Sequence, residues 1–313
     1  MSTTQPPRAA RSKAFPFHIL VFLAPAVIVY TVFMILPLID SLRLSLYTTT
    51  ADHAEVFNGL NNYITLVTDP QWSSAFQNAF WNNVKFFIIH MVVQNSVGLL
   101  LASLLVAGGR ARSIYRTLIF SPTVLSVVII GFIWNLILSP LWGIGQSLLK
   151  VIGLGFLYAP WLGRAETALT TLSLISVWQF IGIPMLLFYV ALLGIPEELL
   201  EAARVDGANG WTAFWRIKFP LILPTVGIVG ILTFVGNFNA FDLIYTVKGA
   251  QAGPQFATDI MGTFFYRTFF GAQLQLGNPT MGATVAGMML LIILAGVIVY
   301  LFFWQRRVTT YDL

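Results

Sequence analysis

Long apolar runs alternate with short polar stretches along the whole chain. Six of them reach the roughly twenty residues that a helix needs to cross a bilayer, at 19–39, 86–107, 117–138, 169–195, 222–247 and 281–304. In hydrocarbon every backbone N–H and C=O must pair within the fold, so runs of this length predict membrane helices. The short alternating segments of a transmembrane barrel are missing. Residues 141–156 are moderately apolar but hold Lys150 and several glycines, which predicts a short helix on the periplasmic side. Pro25, Pro37, Pro122, Pro184 and Gly236 fall inside the predicted spans, as expected where helices bend or line a cavity. Residues 1–14 are polar and predict a disordered tail ahead of one membrane domain at 15–313. The apolar run behind that tail has no small-residue cleavage pattern, so it reads as an uncleaved first span.

Between the fourth and fifth runs the pattern changes. Residues 196–224, PEELLEAARVDGANGWTAFWRIKFPLILP, form a charged island that favours helix. Pro196 suits the first helical position, where its missing N–H costs nothing. Glu197 and Glu198 complement the helix dipole in the first turn, and Leu199, Leu200, Ala202 and Ala203 predict an apolar face. Asp206 ends the helix, and Gly207 can take the left-handed conformation that closes it. Asn209 can cap a second helix over 210–218, with Trp211, Phe214 and Trp215 on one side and Pro220 and Pro224 breaking it. The product is a helix, a tight turn and a helix at the membrane surface, slim enough at its alanines to enter a groove on another protein. The alternative is an amphipathic helix resting on lipid. Such helices carry basic polar faces, whereas this one sets Glu197, Glu198, Glu201 and Asp206 against the single base Arg204.

Composition narrows the class. The 313 residues are 57% hydrophobic and 9% charged, against about 25% charged in soluble domains, and the mean hydropathy is +0.80. A polytopic membrane protein follows. Lys and Arg concentrate on the side that holds both termini: Arg8, Arg11, Lys13, Arg306 and Arg307 at the ends, with Arg110, Arg112, Arg116, Arg204, Arg216 and Lys218 between. By the positive-inside rule the termini and the acidic island are cytoplasmic. The net charge of +5 follows from that asymmetry. No basic face with interleaved aromatics exists, so nucleic acid is not expected as a partner.

The chain has no cysteine, which excludes disulfides and thiolate metal sites. His18, His53 and His90 are too scattered for a metal cluster. No phosphate-binding loop, nucleophile elbow, zinc helix motif or dinucleotide fingerprint occurs. No catalytic residue or metal ligand is therefore assigned, and the chain reads as a conduit without an ATPase site of its own.

Polar residues inside the spans are candidates for a solute path, since they are costly in lipid. Asn239, Asp242 and Thr246 recur at helical spacing and predict a shared face, with Tyr245 nearby. Asp242 either accepts solute hydroxyls or caps a helix or pairs with Lys248. Trp134 with Asn135, and Trp178 with Gln179, are aromatic–amide pairs of the kind that suits a polyol, or tryptophans packing on neighbouring helices. His90, Gln94 and Asn95 share a face of the second span and are expected to hydrogen-bond to adjacent helices, with a place on the transport path as the alternative.

Glu201-Ala202-Ala203, Asp206-Gly207-Ala208, Phe214, Ile217, Pro220 and Pro224 resemble the EAA loop of membrane permease subunits of bacterial ABC importers. The first span ending at Pro37, the GLNNY stretch at Gly59–Tyr63 and the Asn237–Asp242 stretch with Ile244 and Tyr245 resemble the carbohydrate-uptake branch, of the maltose and glycerol-phosphate type. The likeness covers essentially residues 15–313. It implies an all-α permease of six spans that pairs with a second permease subunit. It also implies two ATP-binding subunits carrying ATP and Mg on the cytoplasmic face and a periplasmic solute-binding protein. Glu201, Ala202, Ala203, Arg204, Asp206, Gly207 and Ala208 would insert into an ATPase subunit, and Glu201 and Asp206 would meet basic groups there or Arg204 in the loop.

Lys248–Pro254 departs from the family's Gly-Gly-Pro stretch, and residues 271–280 are drawn out, which bears on receptor docking. The function implied is ATP-driven import of a sugar, sugar derivative or related polyol. The alternatives are an importer of the same type for a polyamine and an ion-coupled secondary transporter, which would show inverted repeats and buried ion-binding acids.

Overall fold

The computed structural model describes residues 17–50, 52, 54–109, 111–273 and 276–306. The predicted N-terminal tail, His53, Arg110 and Arg307 lie outside them. Residues 1–43 and 44–313 form two units. In the first, α1 (Phe17–Tyr30) passes through a π-helical turn (Thr31–Ile35) into α2 (Leu36–Leu44). Phe22 and Phe33 are 81% and 77% exposed, a surface made for lipid or for another protein.

The second unit opens with a hairpin of β1 (Tyr47–Thr49) and β2 (Glu55–Phe57), paired antiparallel with Tyr47 opposite Phe57. It adds the only strands among the described residues to an otherwise helical fold. Helix α3 (Asn61–Thr68) secures it, because the Asn62 amide donates to the carbonyls of Ser45 and Tyr47. Helix α4 (Pro70–Ile89) starts with Asp69 capping the Gln71 N–H and Pro70 in the first turn. It runs through a π-helical turn (His90–Gln94) into α5 (Asn95–Ala107). Together they make a 38-residue helix, much longer than the apolar run at 86–107. The extra turns are polar because they bind protein: Asn78, Asn82 and Asn83 donate to the carbonyls of Phe256, Asp259 and Asn237.

The third and fourth apolar runs are each two helices. Helix α6 (Arg112–Val124) meets α7 (Val127–Leu138) at 95°, and α9 (Ala165–Phe180) meets α10 (Gly182–Leu193) at 44°. Proline explains the second break: Pro184 has no N–H for the Phe180 carbonyl, and its ring crowds that group. The two breaks lie against each other and repair each other's bonding. Thr123 Oγ1 donates to the Gln179 carbonyl at 2.9 Å, and Gln179 Nε2 donates to the Leu125 carbonyl at 3.2 Å. The stretch at 141–156 contains a helix, α8 (Ile144–Val151).

The polar island holds α11 (Glu197–Val205) and α12 (Gly210–Ala213), then a π-helical turn (Phe214–Lys218) and α13 (Phe219–Leu221). The fifth run is α14 (Leu223–Phe238) and α15 (Asp242–Lys248), and α16 (Met261–Phe270) precedes the last, α17 (Pro279–Val299). Three apolar clusters hold the unit together. One joins α4, α7, α9 and α15 around Phe86, Ile130, Leu172 and Ile244. A second joins α5, α10 and α14 around Ala102, Met185, Phe188 and Val229. The third joins α3, α4, α16 and α17 around Leu66, Ala79, Phe264 and Val285. Gly98 lets α5 and α10 touch: a Cβ there would lie 3.2 Å from the Met185 nitrogen and the Pro184 ring.

Candidate functional site

The acidic elbow is built by its own backbone. Helix α11 ends with the Ala208 N–H on the Ala203 carbonyl at 2.9 Å and the Gly207 N–H on the Arg204 carbonyl at 3.0 Å. This is the Schellman closure, and it needs a left-handed residue, which Gly207 supplies at φ +80°. Asn209 then accepts the Thr212 N–H at 2.8 Å and starts α12. Pro196 is the cap residue rather than the first helical one, because its ψ of 135° is extended. Pro220 and Pro224 do not stop the second helix. Each sits in the first turn of a helical segment, where its missing N–H is harmless, and the one local interruption is at Ile222.

The predicted apolar face of α11 divides. Leu200 and Ala203 turn inward, and Leu200 packs on the cluster of α5, α10 and α14, whereas Leu199 and Ala202 are exposed. Glu197, Glu198, Glu201, Arg204 and Asp206 are exposed, and no ion pair among the described residues involves them. Val205, which the sequence did not single out, stands 88% exposed between Arg204 and Asp206. Its signal was present: it is the single large apolar residue at the tip, off the face that α11 buries.

The same cluster forms part of a cavity wall deeper in the unit. A cavity of about 450 Å³ lies between α4, α9, α10 and α14, lined by Pro184, Leu187 and Val229 and by the polar His90, Gln94, Ser176 and Asn237. Asn239 and Asp242 also line it. His90 Nδ1 donates to the Phe86 carbonyl at 2.8 Å, so Nε2 accepts the Ser176 hydroxyl at 3.0 Å. Asn95 donates to Thr233 Oγ1 at 3.2 Å. His90 and Asn95 thus bond to neighbouring helices, as expected. Gln94 differs: its Oε1, like Asn237 Oδ1, is a buried acceptor without a hydrogen-bond partner. Such an acceptor costs about 1–3 kcal/mol and favours a solute bearing O–H or N–H donors. The π-helical turn at His90–Gln94 widens the helix beside this cavity.

The path residues expected from sequence fall in separate places. The helix breaks at Asn239–Phe241, so Asn239 and Asp242 face the cavity while Thr246 turns to α7 and leaves the predicted shared face. A Cβ on Gly131 of α7 would lie 2.9 Å from its Cγ2. Asp242 is exposed and does not pair with Lys248, whose ammonium donates to the Leu162 carbonyl. Trp134 and Trp178 meet edge to face at 5.6 Å and line another cavity of about 580 Å³ with Trp161 and Glu166. Their sequence neighbours do not join them: Gln179 is fully buried at the helix breaks and Asn135 is exposed. Tyr245 shares a hydrogen bond with Tyr266 at 3.3 Å. Among the described residues no group of His, Asp and Glu could hold a metal.

Comparison with known proteins places this geometry. The family described as binding-protein-dependent transport system inner membrane component matches residues 94–308. A probable ABC transporter permease protein of Bacillus subtilis, YurN, is 33% identical over 88% of this chain and 91% of its own length. A probable starch degradation products transport system permease protein of Thermoanaerobacterium thermosulfurigenes, AmyD, is 30% identical over 91% of this chain and 93% of its own. A chain in the structure of a bacterial alginate ABC transporter, bound to its pentasaccharide-loaded periplasmic protein, superposes with a TM-score of 0.79 at 21% identity. That match covers 94% of this chain and 96% of the other.

Proposed function

Since this chain belongs to the family of binding-protein-dependent transport system inner membrane components, we propose that it is the translocation subunit of an ATP-driven importer of sugars or related polyols. The observation that carries the proposal is mechanical. The rigid elbow Glu201–Ala208 presents free acids and Val205 outward, while Leu200 anchors it to the cluster whose Val229 also lines the cavity. Force on the elbow reaches the cavity wall through packed side chains, as rigid-body motion of α10 and α14.

The force would come from one of two ATP-binding subunits on the cytoplasmic face, where ATP and Mg are bound. Glu201 and Asp206 would meet basic groups there, with Val205 in an apolar pocket. A second permease subunit would complete the path, a periplasmic binding protein would deliver the solute, and both termini would be cytoplasmic. The sugar class is supported by the starch-product relative and by the unpartnered acceptors of Gln94 and Asn237, which suit hydroxyl donors. A polyamine fits less well, since among the described residues Asp242 is the sole carboxylate lining the cavity.

The native chain has no cysteine, so a single Val205→Cys gives a clean cross-linking probe in the assembled complex. A cross-link to the ATP-binding subunit supports the docking role. An unreacted thiol with all subunits present would refute it. Calorimetry on the associated binding protein tests the solute class.

A further inference from the structure

A row of aromatic rings joins the cavity to a second pocket between α15 and α16. Phe241 lines the cavity and stacks on Tyr245 at 4.8 Å with 25° between ring planes. Tyr245 meets Tyr266 at 4.8 Å, and Tyr266 meets Phe270 at 5.0 Å. Tyr245 and Tyr266 line the second pocket, of about 340 Å³, together with Gln251 and Gln273, whose side-chain amides approach to 3.5 Å. Helix α16 sorts its residues by face: Phe264 is 2% and Arg267 4% exposed, whereas Phe270 is 63% exposed and Tyr266 is half-buried. The inward aromatic is core. The outward ones are held in a row without being covered.

Such a row needs an occupant with an apolar face and a polar edge. A pyranose ring has both, its C–H face stacking on an aromatic and its hydroxyls meeting planar amides and phenols. A lipid chain would add no hydrogen bond to the phenols or the two amides, which hold only long bonds of 3.3 and 3.5 Å to each other. We propose that Phe270, Tyr266, Tyr245 and Phe241 form a track that passes a saccharide chain from the Gln251–Gln273 pocket to the Gln94–Asn237 cavity. The track rests on the importer function proposed above and adds to it a cargo class, pyranosides of more than one ring, and a route.

The test uses the whole importer, with its partner permease, ATP-binding subunits and binding protein, in proteoliposomes supplied with labelled lactose, maltose and maltotriose. Uptake of none of them by the native complex would overturn sugar import itself. Where uptake occurs, Tyr266→Leu keeps apolar bulk and loses the aromatic face. It should slow the trisaccharide on the order of tenfold and the disaccharides less, while Tyr266→Phe keeps most of the rate. Ring contacts along a path produce that length dependence, and a packing role alone does not. An unchanged rate for Tyr266→Leu, or equal loss for both lengths, overturns the track and leaves sugar import standing. If Tyr266→Leu does not assemble, Phe270→Leu at the exposed end decides by the same comparison.

Discussion

The Arg267 guanidinium donates to the Asp259 carboxylate across 2.6 Å, with the two side chains 5% and 0% exposed. Burial pushes the Asp259 carboxyl above the usual carboxylate range, while Arg267 and the Thr263 hydroxyl pull it back down. Phe256 and Phe264 lie 4.7 and 5.2 Å from the guanidinium. The pair closes the segment between α15 and α16, and Asn82 fastens that segment to α4 through the Asp259 carbonyl at 2.9 Å. Arg267→Met alone strands a buried carboxylate and should cost about 3–5 kcal/mol, read as a lower melting temperature in detergent. Asp259→Leu combined with Arg267→Met should recover most of that loss. A double variant no more stable than the single one would show that the charges are not the cause.

Gly207 can be tested without disturbing any contact. No atom lies within 4 Å of a Cβ built there, so only its φ of +80° restricts the residue. Gly207→Val should insert and fold yet lose ATP-coupled uptake, because a β-branched residue resists the left-handed turn. Gly207→Asn tolerates that conformation and should retain coupling. Normal uptake in the valine variant would contradict the elbow's role.

Val205→Asp changes a side chain that is 88% exposed. Its stability should stay within about 0.5 kcal/mol of the native protein. Co-purification with the ATP-binding subunit should nevertheless fall sharply, since an added acid cannot enter an apolar pocket. Full retention would remove Val205 from the contact.

Asp242→Asn removes a carboxylate that lines the cavity and makes no ion pair among the described residues. Uptake should weaken while assembly, followed by size-exclusion chromatography, stays normal. Failure to assemble would instead assign Asp242 a structural role at the start of α15.

The elbow was legible because its information is local. A left-handed glycine, a capping asparagine and acids in the first turn act within a few residues of each other, so Gly207 and Asn209 behave as the order of residues requires. The cavity was only partly legible. Asn239 and Asp242 stood out as polar groups in an apolar run, but Gln94 joins them from a helix whose polar face also satisfies neighbours. The pairs Trp134–Asn135 and Trp178–Gln179 illustrate the limit, since adjacent residues on a helix point apart. The two tryptophans met each other and left their amides elsewhere.

Taken alone, the order of residues determined that this is a helical membrane protein with an acidic elbow, because hydrophobic length and turn chemistry depend on neighbours in the chain. Tertiary structure decided where the helices bend and which polar groups converge. The break at Gln179–Gly182 is stabilised by Thr123 and Leu125 from another helix. The long polar start of α4 is held by the 256–261 segment far along the chain. Hydrogen bonds between groups more than fifty residues apart have no signature in local periodicity, and they set the shape of the path.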